Sequence, residues 1–201
     1  MSPRNTAMGA RHTRSAIVAR GLDVASMEGL GGLTIGRLAH DLAISKSGLL
    51  GHFGSKQSLQ LAVLDAAADV FRHEVWDRVA DQPAGLPRLR ATCEAWVSYL
   101  ERRVFPGGCF FTAVTSEFDD RHGPVRDGVA RLARRWNRSL RADAERAAAD
   151  LPAGTDPDQL VYELSSLMLG LNYALQMWDD ECAPERTRRA VHRLLGPPAA
   201  T

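Results

Sequence analysis

Lys46, Ser47 and His52 crowd into one short stretch, with Thr34 ahead of it and Lys56 just beyond. The chemistry open to this set is hydrogen bonding to phosphate oxygens and to the edges of bases. Lys46 and Ser47 fall in the first turn of a short helix pattern, the part that reaches base edges when such a helix enters a major groove. Gly48 has no side chain to read a base but lets the helix backbone approach closely. Lys56, at the start of the next helix, is suited to a phosphate, helped by the positive end of the helix dipole. Thr34 can cap a helix and touch phosphate at once. Arg4, Arg11 and Arg14 can form a flexible basic arm over the backbone or minor groove. For any one of these basic residues, a solvated surface face is an equally good reading.

The elements that must position these residues lie between Leu33 and Lys56. Ile35, Leu38, Ala39 and Leu42 recur at helical spacing and make one apolar face. Thr34 stands where an N-cap belongs, and Ser45 can cap a second helix starting at Lys46. Small Ala39 permits a close crossing, and Ile44 with Leu49 can lock the second helix onto the first. Two helices joined in this way make a helix-turn-helix whose second helix is free to enter DNA.

Arg14, Thr34-Ile35, Leu38-Ala39, Ile44-Ser45, Leu49 and His52-Phe53-Gly54-Ser55-Lys56 together resemble the TetR family of transcriptional repressors. The resemblance covers roughly the first quarter to a third of the chain. It implies DNA contacts from Thr34, Lys46, Ser47, Gly48, Leu50, His52, Lys56 and Arg14. Two positions depart from the family pattern. Ala43 stands where the family usually has a turn glycine, and a left-handed backbone there costs alanine about 1 kcal/mol. Leu50 stands where the family usually has a tyrosine, so a hydroxyl expected to reach phosphate is missing.

Charge is divided along the chain. Residues 1–60 hold seven of the 25 basic residues and three of the 24 acids, a balance of +4, and the remainder carries −3. A positive head on a slightly negative body suits a polyanion-binding module attached to something else. The N-terminal residues contain no apolar run of the signal-peptide kind, and the apolar stretch from Val161 to Trp178 is interrupted by Glu163, Ser165, Ser166, Asn172 and Gln176. A cytoplasmic protein without membrane association is therefore expected. Cys93, Cys109 and Cys182 cannot all pair and lack metal-ligand spacing. Neither metal nor cofactor is expected.

No two-residue alternation of strand type and no repeat occurs. The pattern is all-α, with about nine helices. The first is expected from about Thr13 to Glu28, and a fourth from near Ser55 to about Ala80. The expected division is 1–55, an N-terminal arm and helix-turn-helix, and 56–201, a helical ligand-binding and dimerisation part. The helix from Asp156 to Asp180 is apolar nearly all round, so it needs cover on two sides. It is either the central helix of a monomer or a dimer seam through Leu169, Gly170, Tyr173, Ala174 and Met177. The resemblance implies the latter, with the last two long helices of each subunit forming a four-helix bundle.

Trp96, Tyr99, Phe105, Cys109, Phe110, Phe118, Trp136, Met168 and Asn172 are the candidate lining of a pocket for a small-molecule effector, and core packing is the competing reading for each. Cys109 begins a helix pattern, where the dipole can activate a thiol, although an inert buried thiol fits as well. Glu117, Asp119, Asp120 and His122 read as a solvated helix end rather than a cation site. No phosphate-binding loop, nucleophile elbow, HExxH or repeated ExxH is present, so no catalytic residue is assigned. Two other classes stay open: a motif-poor all-helical enzyme, and a protein-interaction module reusing the helix-turn-helix. The reading that joins these observations is a ligand-responsive regulator. It would be a homodimer, binding double-stranded DNA at a palindromic operator as a repressor and released by a largely apolar ligand.

Overall fold

The computed structural model describes residues 3–197, and the side chains of residues 8–197. Among them are nine α-helices and no strand, as the hydrophobic pattern requires. They are α1 (Pro3–Glu28), α2 (Ile35–Asp41), α3 (Lys46–Phe53), α4 (Lys56–Phe71), α5 (Leu86–Glu101), α6 (Phe110–Phe118), α7 (Pro124–Arg146), α8 (Pro157–Met177) and α9 (Ala183–Leu195). A π-helical turn (Arg72–Trp76) and a 3-10 turn (Asp77–Val79) follow α4. No helix among the described residues is long and apolar enough to cross a membrane.

One expectation is corrected at the start of the chain. The segment read as a flexible basic arm belongs to α1, which begins at Pro3 rather than near Thr13. Ala7, Met8, Ala10 and Arg11 are good helix formers, and the Thr13 hydroxyl donates to the Gly9 carbonyl at 3.0 Å. The side chain of Arg4 lies outside the described residues.

The chain divides into two compact units. The first comprises residues up to Asp69 together with Phe105–Ala130, and the second Val70–Val104 together with the residues from Arg131 onward. In the first unit, Ile17, Val24, Leu30, Leu33, Leu38, Leu49, Leu59, Val63, Phe110 and Val114 are buried almost completely. Gly107 is obligatory there: a Cβ on it would lie 1.8 Å from the Ser26 carbonyl oxygen, at the end of α1.

In the second unit α5 packs against α8, α9 and the π-helical turn. Leu89, Val97 and Leu100 of α5 bury with Leu160, Leu164, Met168, Leu171 and Leu175 of α8 and with Val191 and Leu195 of α9. A polar clamp fixes the entry to α5. Asp143 of α7, 1% exposed, accepts from the Gly85 amide at 3.2 Å and from Arg88 Nε and Nη2 at 2.8 and 2.6 Å. The Arg88 guanidinium lies 5.7 Å from the Trp76 ring centroid. Arg90 Nη2 donates to the carbonyls of Leu195, Gly196 and Pro197, supplying partners at the end of α9.

A carboxylate this buried owes its place to its donors. Asp143→Ala should therefore destabilise the protein by about 3 kcal/mol, the lower end for breaking a buried pair because Arg88 can partly rehydrate. Denaturant titration followed by circular dichroism measures this, and a change below about 1 kcal/mol would show that the clamp is only surface decoration.

Candidate nucleic-acid interface and effector site

The short helix α3 is built at both ends by local chemistry. The Ser45 hydroxyl accepts from the Gly48 amide at 3.0 Å, and the Thr34 hydroxyl accepts from the Arg37 amide at 3.1 Å. Both expected caps are therefore in place on α3 and α2. Between them α2 ends in a double hydrogen-bonded turn: the Ala43 amide donates to the His40 carbonyl and the Ile44 amide to the Ala39 carbonyl. This is the turn that puts its penultimate residue in the left-handed region, a place usually taken by glycine. Ala43 occupies it with φ +52°.

Leu49 and Phe53 bury one side of α3. Lys46, Ser47, Gly48, Leu50 and Gly51 are exposed on the other side, and His52 is half-buried. The exposed face thus holds one ammonium, one hydroxyl and two glycines that leave the backbone uncovered. Arg14 of α1 lies with its guanidinium 4.5 Å from the Phe53 ring centroid, tying α1 to the far end of α3. Arg20 bonds Asp41 at 2.8 Å, and Arg37 pairs with Glu28. Arg20 holds the Asp41 carboxyl below its ordinary range and Arg37 does the same for Glu28. These exposed pairs keep α1 on α2 above the ordinary carboxylate range, and the benefit fades only as pH falls through the lowered values.

The loop between α1 and α2 is held from two sides. Glu117 Oε1 of α6 accepts from the Gly31 amide at 2.6 Å. Lys56 Nζ donates to the Gly31 carbonyl at 2.9 Å, and Gln60 Nε2 to the Leu30 carbonyl at 2.8 Å. Lys56 thus uses one of its three donors inside the protein and keeps two for another acceptor. Sequence alone does not single out Glu117 or Gln60 for this role, since their partners are backbone groups of a glycine-rich loop and carry no side-chain signal.

The candidate pocket residues separate between the units. Phe105, Cys109, Phe110 and Phe118 are buried in the first unit, with Cys109 at the N-cap of α6 and Arg121 over the Phe118 ring. Trp96, Tyr99 and Trp136 come together in the second unit around Phe71, whose ring centroid lies 6.0, 5.3 and 4.8 Å from theirs. Trp96 and Trp136 stand 5.0 Å apart, and Trp76 lies 6.3 Å from Trp136. Phe71 and Trp76 extend the aromatic group beyond the expected residues. Met168 is buried in α8 and Asn172 is half-buried. Burial pushes the Cys93 thiol up to about 12. No group of His, Cys, Asp and Glu among the described residues could hold a metal ion.

Residues 85–191, just over half of the chain, match the family described as tetracyclin repressor-like, C-terminal domain. The chain belongs to the TetR family of transcriptional regulators. Among solved structures it is similar to a TetR transcriptional regulator from Chloroflexus aurantiacus, with TM-score 0.84 and 23% identity over 92% of this chain and 95% of that one. NemR from E. coli in its reduced form gives TM-score 0.78 and 19% identity over 94% and 100%. AibR, solved in complex with isovaleryl coenzyme A and operator DNA, gives 0.70 and 20% over 90% and 99%. No curated protein sequence matches the chain.

In this TetR-family regulator α8 is buried along one side and exposed along the other. Tyr162, Leu169, Tyr173, Met177 and Trp178 are each at least half exposed, and all but Trp178 fall on one helical stripe. Beside them runs an apolar groove of about 640 Å³, with Gly170 and Ala174 on its α8 wall and Ala190 and Leu194 on its α9 wall. Tyr162 is absent from the seam expected by sequence, although its spacing of seven from Leu169 continues the same face.

The strain at Ala43 is testable on its own. Ala43→Gly should stabilise the protein by about 1 kcal/mol, because glycine takes the left-handed conformation without a Cβ penalty. A raised denaturation midpoint checks it; a lowered midpoint would mean that the turn is not strained.

Proposed function

We propose that this regulator is a homodimeric repressor that binds a palindromic operator through α3 and leaves it when a small, largely apolar molecule binds the second unit. The observation that carries the dimer is the stripe Tyr162, Leu169, Tyr173, Met177 on α8 beside the groove shared with α9. An apolar face of this kind on an otherwise packed unit calls for a partner, and a second copy satisfies it with the same surface on both sides. Leu169, Gly170, Tyr173, Ala174 and Met177 form the seam.

DNA recognition is assigned to the exposed face of α3. Lys46 and Ser47 read base edges, Gly48 admits the backbone, and Thr34, Lys56 and Arg14 hold phosphates around it. His52 and Leu50 border this face. The effector site is assigned to Trp96, Tyr99, Trp136, Met168 and Asn172, with Phe71 and Trp76 added. Phe105, Cys109, Phe110 and Phe118, the other candidates for the effector lining, belong to the first unit at and around α6. The AibR complex, which holds both isovaleryl coenzyme A and operator DNA, supports a reading in which one chain answers to both.

Electrophoretic band shifts across a salt series test the DNA assignment. Lys56→Ala should weaken binding to all sequences alike and reduce the salt slope by about 1. Lys46→Ala or Ser47→Ala should instead change sequence preference, at roughly 1–3 kcal/mol for each base pair no longer read. The opposite pattern would place base reading outside α3.

Gly170→Leu tests the seam. A Cβ at Gly170 meets nothing within 4 Å inside its own chain, so the bulk acts on a partner alone. Sedimentation should report monomers for this variant with helicity unchanged, and an intact dimer would move the seam elsewhere.

A further inference from the structure

The aromatic group of the second unit has two features that together specify a ligand. Phe71, Trp76, Trp96 and Trp136 stack nearly perpendicular to one another, yet each keeps part of its surface accessible. Such rings offer an apolar wall to a flat molecule. Trp96 Nε1, Trp136 Nε1 and Thr92 Oγ1 are also sealed from solvent and have no hydrogen-bond partner among the described residues. Thr92 is itself 1% exposed. It lies one turn before Trp96 on the same face of α5, and the Trp96 ring meets Trp136 of α7 at 5.0 Å.

An indole N–H can only donate, and a buried donor without an acceptor is costly. Each of the two indole donors therefore asks for an oxygen that accepts. The carboxylates of Asp143 and Glu74 are already taken, the first by Arg88 and the second by Arg78 and Arg102. Neither is left to offset a cation.

We propose that the effector of this regulator is a neutral aromatic carbonyl compound whose oxygen accepts from Trp96 and Trp136, with the buried Thr92 hydroxyl one turn before Trp96 on α5. The inference rests on the effector site proposed above. It places the specificity of that site in the indole donors, while the ring faces supply general apolar contact.

Isothermal titration calorimetry on the full-length protein with three probes of one skeleton tests it: acetophenone, ethylbenzene and 1-phenylethylammonium. Acetophenone should bind at least tenfold more tightly than ethylbenzene, because only it satisfies the buried donors. The ammonium should bind no better than ethylbenzene. Trp96→Phe and Trp136→Phe keep the ring and remove the N–H, so each should move the acetophenone-to-ethylbenzene ratio toward one with ethylbenzene affinity little changed. Equal binding of ketone and hydrocarbon, or tightest binding of the ammonium, overturns the carbonyl inference and leaves the pocket standing. Failure of all three probes to bind overturns the pocket and the inference with it. Should either variant fail to fold, the wild-type ratio decides alone.

Discussion

The DNA-binding reading depends on the burial of Leu49 and Phe53. Helix α3 has eight residues, too few to be stable alone in water. Its shape and direction come from two apolar anchors set into the core of the first unit and from the Ser45 hydroxyl at its start. Anchoring one side so firmly leaves the opposite side free, and that side carries Lys46, Ser47, Gly48, Leu50 and Gly51. A reading helix must be rigid and uncovered together, and this division of faces provides both. Arg14 strengthens it by lying over the Phe53 ring, a cation–π contact that also keeps a positive charge beside the helix.

A second dependence runs through the glycine-rich loop after α1. Its backbone is gripped by Glu117 from α6 and by Lys56 and Gln60 from α4. The loop leads directly into Thr34 and α2, so any displacement of α6 or α4 pulls on the segment that enters the helix-turn-helix. Gly29 and Gly31 make room for the carboxylate: a Cβ at either would lie within 2.5 Å of a Glu117 oxygen. A charged side chain bonded to main chain in this way transmits position more faithfully than an apolar contact, because its distance and angle are both constrained. Such a linkage fixes the entry to the helix-turn-helix within the first unit.

Much of this was legible in the sequence because it is local. The caps Thr34 and Ser45, the apolar faces of α2 and α3, the breaker between α4 and α5 and the stripe along α8 are all written in neighbouring residues. Ala43 was legible as a strained position only through the family resemblance, which implies a turn glycine there; the hydrogen bonds of the turn and its φ of +52° come from the structure. Contacts across long separations were not. The Glu117–Gly31 and Asp143–Arg88 bonds join residues whose types are ordinary and whose meeting depends on the whole fold. The candidate pocket residues were named one by one from their aromaticity, which does not tell which unit holds each: Phe110 is buried in the first and Trp96 joins the aromatic group of the second. The start of α1 was misjudged for the opposite reason: its first turns lack an apolar stripe, and good intrinsic helix formers carry it instead.

The central claim is that two copies of this chain present two α3 helices to one DNA. Hydroxyl-radical footprinting of the bound operator, with the stoichiometry of the same complex from sedimentation, tests it most directly. The predicted result is two chains on a site of approximate two-fold symmetry, protecting half-sites about 34 Å apart on one face of the duplex. A single chain protecting one asymmetric half-site would contradict it.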